Sequence, residues 1–406
     1  MSTGIPAKVL RNTPFSLCYT GKEDESSIIN TPCPHFELVD GSNGDLYDNS
    51  LFYGDNYDAL LWLLEHGYKG KIRLVYIDPP YATSGLFVNR KQEHAYSDQI
   101  CGADFVEFLR KRLVLLRELL TDDGSIYVHL DKNMAFVIKI VMDEVFGAGN
   151  FRSFITRQKC SSKNCTRKSY GDISDYILFY TKGDRYVWNK PYEPWDEAKI
   201  AKEYPCIDEA TGRRYKKVPI HAPGIRNGDT GKAWKGILPP KGKHWQYTRD
   251  KLDALDAAGE IYWSSTGNPR RKVFLDVNKG VPLQNIWLDY RDSINQSLLT
   301  TGYPTEKNIK LLELIITASS NEGDIVLDCF AGSGTTLEAA YHNKRKWIGV
   351  DNSSESIKAI VRRFKQGLEL YGDYVNSSAD LKQIKLNFNS GCNFSIFHTD
   401  NFQYIP

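Results

Sequence analysis

Three short apolar runs in this chain each stop at an acid. Leu74-Val75-Tyr76-Ile77 runs into Asp78, Ile325-Val326-Leu327 into Asp328, and Trp347-Ile348-Gly349-Val350 into Asp351. Apolar runs this short, closed by turn-forming residues, read as buried strands. Helical spacing lies between them: Phe105, Phe108, Leu109, Leu113, Leu116 and Leu120 recur with that period over 103–120. The pattern predicts an α/β fold, a Rossmann-like sheet whose ligands bind at the carboxyl ends of the strands. All three acids fall on that edge.

The turn after the first run is Asp78-Pro79-Pro80-Tyr81. Two prolines stiffen it and remove two backbone donors. A carboxylate and a phenol are then held at fixed spacing. Such a turn suits a flat, amine-bearing ring: Asp78 accepts from one exocyclic N–H, the Pro79 carbonyl from the other, and Tyr81 stacks on the ring. Asp-Pro-Pro is also an ordinary turn sequence. The second run leads into Cys329-Phe330-Ala331-Gly332-Ser333-Gly334-Thr335, where Gly332 and Gly334 let the backbone approach a ligand closely. A dinucleotide fingerprint would place a third glycine where Leu337 stands. About 20 residues on, Asp351 occupies the position of an acid that grips ribose hydroxyls. The implied ligand is a nucleoside without a required pyrophosphate.

These motifs resemble those of the S-adenosylmethionine-dependent amino-group DNA methyltransferases. With Asp-Pro-Pro-Tyr first and Phe-x-Gly-x-Gly last, the circularly permuted order is similar to the beta class, which includes the modification subunits of type III restriction systems. The resemblance runs from about residue 50 to 365. It takes in Leu51 to Asn56, Trp287-Leu288-Asp289 and Gly302 to Lys307. It implies an S-adenosylmethionine cofactor. Gly332, Gly334, Thr335 and the family's loop aromatic Phe330 would lie against that cofactor, and Asp351 on its ribose. Asp55 would meet the adenine amine, a role that competes with capping the helix that follows. Asp328 would lie near the methionine end or else hold the glycine turn. Lys307 joins this set by position. The family usually has Gln-Lys-Pro where this chain has Glu306-Lys307-Asn308. Asp in the first position of the catalytic motif goes mostly with adenine N6, and Ser with cytosine N4. His129, at a strand end, reads as structural.

Composition fits an enzyme of this kind. Among 406 residues, 41% are apolar and 25% charged, and no apolar stretch reaches the roughly 18 residues of a membrane span. The N-terminus lacks the apolar core of a secretory signal. The eight cysteines follow no short repeating pattern and read as reduced intracellular thiols. Cys160 and Cys165 have no partner pair at zinc-binding spacing, and a sulfonium methyl is already activated, so no metal is expected. The net charge of +2 hides clustering. Residues 151–170 carry Arg152, Arg157, Lys159, Lys163, Arg167 and Lys168 and no acid. Residues 211–251 add eleven cations, Lys235 among them, against Asp229 and Asp250, with Trp234 and Trp245 interleaved. Clustered cations are what phosphate neutralisation needs. Lys163, Arg167, Lys168, Lys235 and Trp245 are the candidate DNA contacts.

The expected organisation is an N-terminal arm (1–50), a catalytic half (51–184), an inserted irregular target-recognition domain (185–285), a cofactor half (286–365) and a tail (366–406). The expected activity is N6 methylation of a flipped-out adenine in duplex DNA, in the cytoplasm of a bacterial or phage-infected cell. A restriction subunit or a second copy would be possible partners. Cytosine-N4 methylation, methylation of RNA or of glutamine in a protein, and a non-catalytic DNA-binding subunit are the alternatives. The large basic insertion argues for duplex DNA, and the intact motifs argue for catalysis.

Overall fold

The computed structural model describes residues 16–40, 49–80, 86–88, 94–97, 102–161, 168–276, 280–292, 299–300, 306–366, 369–370 and 392–399. The chain divides into two compact units, one formed by residues up to Pro191 together with those from Gln284 on, the other by Tyr192–Leu283.

The first unit is built on one sheet of ten strands: β1 (Glu37–Asp40), β2 (Ser50–Tyr53), β3 (Ile72–Ile77), β4 (Leu120–Leu130), β5 (Phe151–Gln158), β6 (Ser174–Thr181), β7 (Ile286–Trp287), β8 (Ile325–Asp328), β9 (Lys346–Asp351) and β10 (Ser395–His398). Their spatial order is β1-β10-β2-β9-β8-β3-β4-β6-β5-β7. From β10 to β4 every neighbouring pair is parallel. Beyond β4 the sheet turns antiparallel through β6 and β5. The permuted order thus builds one sheet, with β3 from the first half of the chain paired to β8 from the second. Their register sets Leu74 opposite Val326 and Val75 opposite Leu327.

Strands covered on both faces should be apolar along their whole length, and β3 is: Leu74, Val75, Tyr76 and Ile77 are all buried. Helices α1 (Asn56–Leu63), α2 (Gly102–Leu119), α3 (Ala135–Met142), α5 (Ile309–Ser319), α6 (Thr335–His342) and α7 (Ser354–Gln366) accompany the sheet, and α4 (Arg249–Ala257) belongs to the second unit. In α2 the predicted apolar stripe holds Phe105, Leu109, Leu113 and Leu116 at 0–1% exposure. Strand β4 runs unbroken through Asp123-Gly124. The C-terminal tail is not wholly outside the fold, since Ser395–His398 pairs between β1 and β2. Leu86–Val88 pairs antiparallel with His94–Ser97.

The second unit has a four-stranded antiparallel sheet, Cys206–Ile207, Arg214–Pro219, Pro269–Phe274 and Ile261–Trp263 in that spatial order. Its own core gathers Ile220, Trp234, Trp245, Leu252, Leu255 and Ile261. Among the described residues, no helix is long and apolar enough to cross a membrane.

Candidate active site and cofactor edge

Strands β3, β8 and β9 are adjacent and parallel, so the three acids that end the apolar runs share one edge. Asp78 follows β3 directly. Its Oδ2 lies 2.7 Å from the Lys307 ammonium, and the two side chains are 19% and 12% exposed. Burial alone would push the Lys307 pKa down. The carboxylates of Asp78, Asp292 and Asp175 outweigh it and raise the pKa above the ordinary value, so the ammonium stays charged. Pro79 and Pro80 continue the turn; Tyr81 lies outside the described residues.

Asp328 is 2% exposed and accepts from the Phe330 amide at 3.0 Å. Burial raises its pKa from 3.8 to about 7, and the nearby charges of Asp78 and Asp351 push the same way against the Thr336 hydroxyl and the Phe330 amide. Asp351 is also raised, again chiefly by burial. Its two oxygens accept from the Gly332 amide at 2.8 Å and the Ser353 amide at 2.9 Å, which ties the glycine loop to the end of β9. A carboxylate has lone pairs to spare for a further donor. Three carboxylates at one edge, two of them held above their ordinary pKa, fit a ligand that brings positive charge.

The glycine loop is shaped from behind. Gly334 has φ +76°, and a Cβ there would meet Ile360 Cγ1 of α7 at 2.8 Å. Its lack of a side chain therefore serves the turn and the packing of α7, where the sequence alone suggests space for the ligand. A Cβ on Gly349 would meet Leu337 Cδ1 at 2.5 Å. The close helix–strand packing that a dinucleotide fingerprint assigns to its third glycine is achieved here by Leu337 seated on Gly349. Thr335 is buried, its hydroxyl 2.9 Å from that of Ser333. Arg363, 3% exposed, donates to the Ser333 carbonyl at 2.8 Å and to Glu306 at 2.6 Å, and pairs with Glu338. Sequence reasoning missed Arg363. It accounts for Glu306: the acid that replaces the family's glutamine has a buried guanidinium to meet. Asn308, where the family has proline, caps α5 by accepting from the Lys310 amide.

Asp55 caps α1, accepting from the Tyr57 amide at 2.7 Å, and also pairs with Arg112 at 3.0 Å. It lines a cavity of about 350 Å³ together with Thr20, Tyr57, Phe108, Lys111 and Arg112. Phe330 lies beside Phe108, ring centroids 6.2 Å apart. A carboxylate and an aromatic wall suit a flat heterocycle carrying an amine. The residues present thus fit the nucleoside end of S-adenosylmethionine at one side and its cationic end at the other.

Behind Asp78 lies a network that the sequence did not disclose. The Tyr76 hydroxyl is 2.7 Å from His129 Nδ1, and His129 Nε2 is 2.9 Å from Asp175. Arg157, fully buried, pairs with Asp175 at 2.9 Å and with Asp292, and donates to the Tyr290 carbonyl at 2.7 Å. His129 is thereby placed in a structural network.

The candidate DNA contacts fare differently. Lys163 and Arg167 lie outside the described residues, as does Cys165; Lys168 is exposed. Trp245 is corrected: it is 2% exposed, inside the second unit's core, and its Nε1 donates to the Lys232 carbonyl at 3.0 Å. A tryptophan's large apolar area favours burial over a surface role when a core is available. Lys235 is half exposed but paired with Asp256. Arg213, Lys216 and Arg249 are likewise paired with Asp276, Glu203 and Asp229. Arg214, Arg226, Lys232, Lys241, Lys243 and Lys251 are exposed.

Comparison with known proteins decides the family. The family model described as DNA methylase, of the N6/N4 type, matches residues 72–362. The chain belongs to this DNA methylase family. The type II methyltransferase M.EcaI of Enterobacter cloacae is 49% identical over 375 residues, which cover 91% of this methylase and 82% of M.EcaI. The Mod subunit of the type III enzyme StyLTI of Salmonella typhimurium is 27% identical over 78% of the methylase, which spans 53% of that subunit. Among solved structures, the M1.HpyAVI–SAM complex aligns with 77% of the methylase and 98% of that chain, at 17% identity and a TM-score of 0.43, too loose a likeness to assign any residue. The methylase is a DNA methyltransferase of the N6/N4 amino type, and S-adenosylmethionine is its cofactor.

Proposed function

We propose that the methylase transfers a methyl group to N6 of an adenine flipped out of duplex DNA. The observation that carries this reading is the Asp78 carboxylate, held by Lys307 at the end of β3 beside the glycine loop that follows β8. S-adenosylmethionine, when bound, supplies a methyl group already activated on a sulfonium. The exocyclic nitrogen is a poor nucleophile because its lone pair is spread into the ring. Asp78 and the Pro79 carbonyl, accepting from both N6 hydrogens, draw that nitrogen toward tetrahedral geometry and free the lone pair for in-line attack. Tyr81 stacks on the extruded base, and extrusion costs roughly a few kcal/mol. Most of the acceleration is positioning and electrostatics. Gly332, Phe330, Asp328 and Asp351 hold the cofactor, with Asp55 at its adenine. Adenine is favoured over cytosine N4 because Asp stands first in the catalytic motif.

The second unit, Tyr192–Leu283, is the target-recognition domain in this reading, and its exposed cations contact phosphate. The extent of the match to M.EcaI supports a type II modification enzyme. A cytoplasmic homodimer completes the proposal and is checked by sedimentation. Modification-sensitive sequencing of DNA from cells expressing the chain tests the rest. It should report N6-methyladenine at one short motif; N4-methylcytosine at that motif, or no modification, would overturn the assignment.

A further inference from the structure

Asp78 and Lys307 come from opposite ends of the chain, yet their pairing is firmly braced. The residues on either side of Lys307 are each tied down. Glu306, 4% exposed, takes a 2.6 Å bond from Arg363, whose Nε also holds the glycine loop through the Ser333 carbonyl. Asn308 caps α5 and donates its Nδ2 to the Arg291 carbonyl at 2.9 Å. A lysine is ordinarily a flexible point charge. This one is anchored on both flanks and shielded from solvent, with its ammonium on Asp78 Oδ2.

Charged and titratable groups face the pair from every strand packed around it. Tyr76 comes from β3, His129 from β4, Arg157 from β5, Asp175 from β6, Asp292 from the segment after β7 and Asp328 from the end of β8. Counting Asp78, Asp175, Asp292 and Asp328 against Lys307 and Arg157, four carboxyl groups meet two cations, and without Lys307 they would meet one. The Lys307 ammonium fixes the place of one Asp78 oxygen. Transfer geometry tolerates little freedom, since misplacement of about 1 Å can cost roughly 10²-fold in rate.

We propose that Lys307 is a positioning residue for methyl transfer. It pins one oxygen of Asp78, so that the acceptor of the amine hydrogen is oriented before the base arrives. This rests on the methyltransferase reading above and replaces the assignment of Lys307 to the cofactor. The Glu306–Arg363 pair makes the placement of Lys307 depend on the same guanidinium that shapes the glycine loop.

The test is single-turnover methylation of a duplex carrying the recognised site with the wild-type chain, Lys307→Met and Lys307→Arg. Calorimetry measures S-adenosylmethionine affinity for each, and thermal melting confirms folding. Lys307→Met should lose about 10²-fold in rate while its cofactor affinity stays within about threefold. Lys307→Arg should recover at least about tenfold of the loss. A cofactor affinity that falls in step with the rate would make Lys307 a cofactor ligand and overturn the proposal. Equal losses in both variants would make it a structural brace, with the same consequence. A Lys307→Met variant that is unfolded, while Lys307→Arg folds but transfers no faster than about 1% of wild type, also overturns it. No transfer by the wild-type chain would overturn the methyltransferase reading itself.

Discussion

Asp328 gives the cofactor edge a measurable proton signature. Its carboxyl is buried at the end of β8 with a pKa raised to about 7, first by burial and then by Asp78 and Asp351. In the ligand-free protein it is therefore mostly protonated at pH 6 and mostly ionised at pH 8. A sulfonium or ammonium placed beside it would favour the ionised form and expel that proton. Binding of S-adenosylmethionine should release close to one proton from Asp328 at pH 6 and few at pH 8. Affinity should rise roughly tenfold per pH unit below pH 7 and level off above it. The assay is calorimetric titration in pairs of buffers with different ionisation heats, whose difference in observed heat counts the protons. The cofactor's own α-amino group ionises near about pH 8 and contributes little at pH 6. Asp328→Asn keeps the acceptor for the Phe330 amide and removes the ionisation, so it should remove this proton release. The same shift has a sign for folding. A carboxyl whose folded pKa lies above its unfolded value stabilises the fold fully below about pH 4 and loses that contribution as pH rises to about 7, a ceiling of about 4 kcal/mol. Thermal stability of the ligand-free protein should fall across that window, and less so in Asp328→Asn. Equal proton counts for the wild-type chain and Asp328→Asn at pH 6 would refute the reasoning.

Gly334→Val should lower the melting temperature of the ligand-free protein, because a branched residue at φ +76° is strained and its Cβ meets Ile360 at 2.8 Å; a cost of about 2–4 kcal/mol is expected. Unchanged melting with cofactor binding alone abolished would mean the missing side chain leaves room for the ligand after all. Replacing Lys232, Lys241 and Lys243 by alanine should weaken DNA binding at every sequence and reduce its salt slope by about 0.9 for each phosphate no longer neutralised; an unchanged slope would put these lysines off the DNA. Tyr81→Phe should be mild and Tyr81→Ala cost roughly five- to 150-fold in transfer, since stacking uses the ring. A phenylalanine variant as damaged as the alanine one would make the hydroxyl the working group.

What the sequence disclosed follows from how local each signal is. The strands ending at Asp78, Asp328 and Asp351 are short apolar runs that each stop at an acid, so they are visible in a short window. That all three acids share one edge follows from the rule for parallel sheets. The pairing of Lys307 with Asp78 could not be seen, because it joins residues brought together only when β3 packs beside β8. The same is true of Arg157 with Asp175 and Asp292. Its basic neighbours in the chain make Arg157 look like a surface cation, and in the fold it is fully buried. The acids that neutralise Arg213, Lys216 and Lys235 are Asp276, Glu203 and Asp256, all outside the window in which the cations cluster. Basic neighbours likewise suggest a surface role for Trp245, and the second unit's need for a core decides otherwise. Ser395–His398 is too short and too plainly flanked to announce a strand, and it gains its partners from residues more than 300 positions earlier. Glu306 and Asn308, departures from the family's pattern, become intelligible once Arg363 and the cap of α5 are in view.

The central claim is that the Asp78 carboxylate at the end of β3 makes adenine N6 the methyl acceptor. Its most direct test uses S-adenosylmethionine with a deuterated methyl group, a duplex bearing the recognised site, and mass spectrometry of the digested nucleosides. The wild-type chain should place the label on N6 of one adenine per site. Asp78→Ala should bind the cofactor within a fewfold of wild type and place at least about 10²-fold less label there in a single turnover. Label on cytosine, or label on adenine at an undiminished rate in Asp78→Ala, would contradict the account.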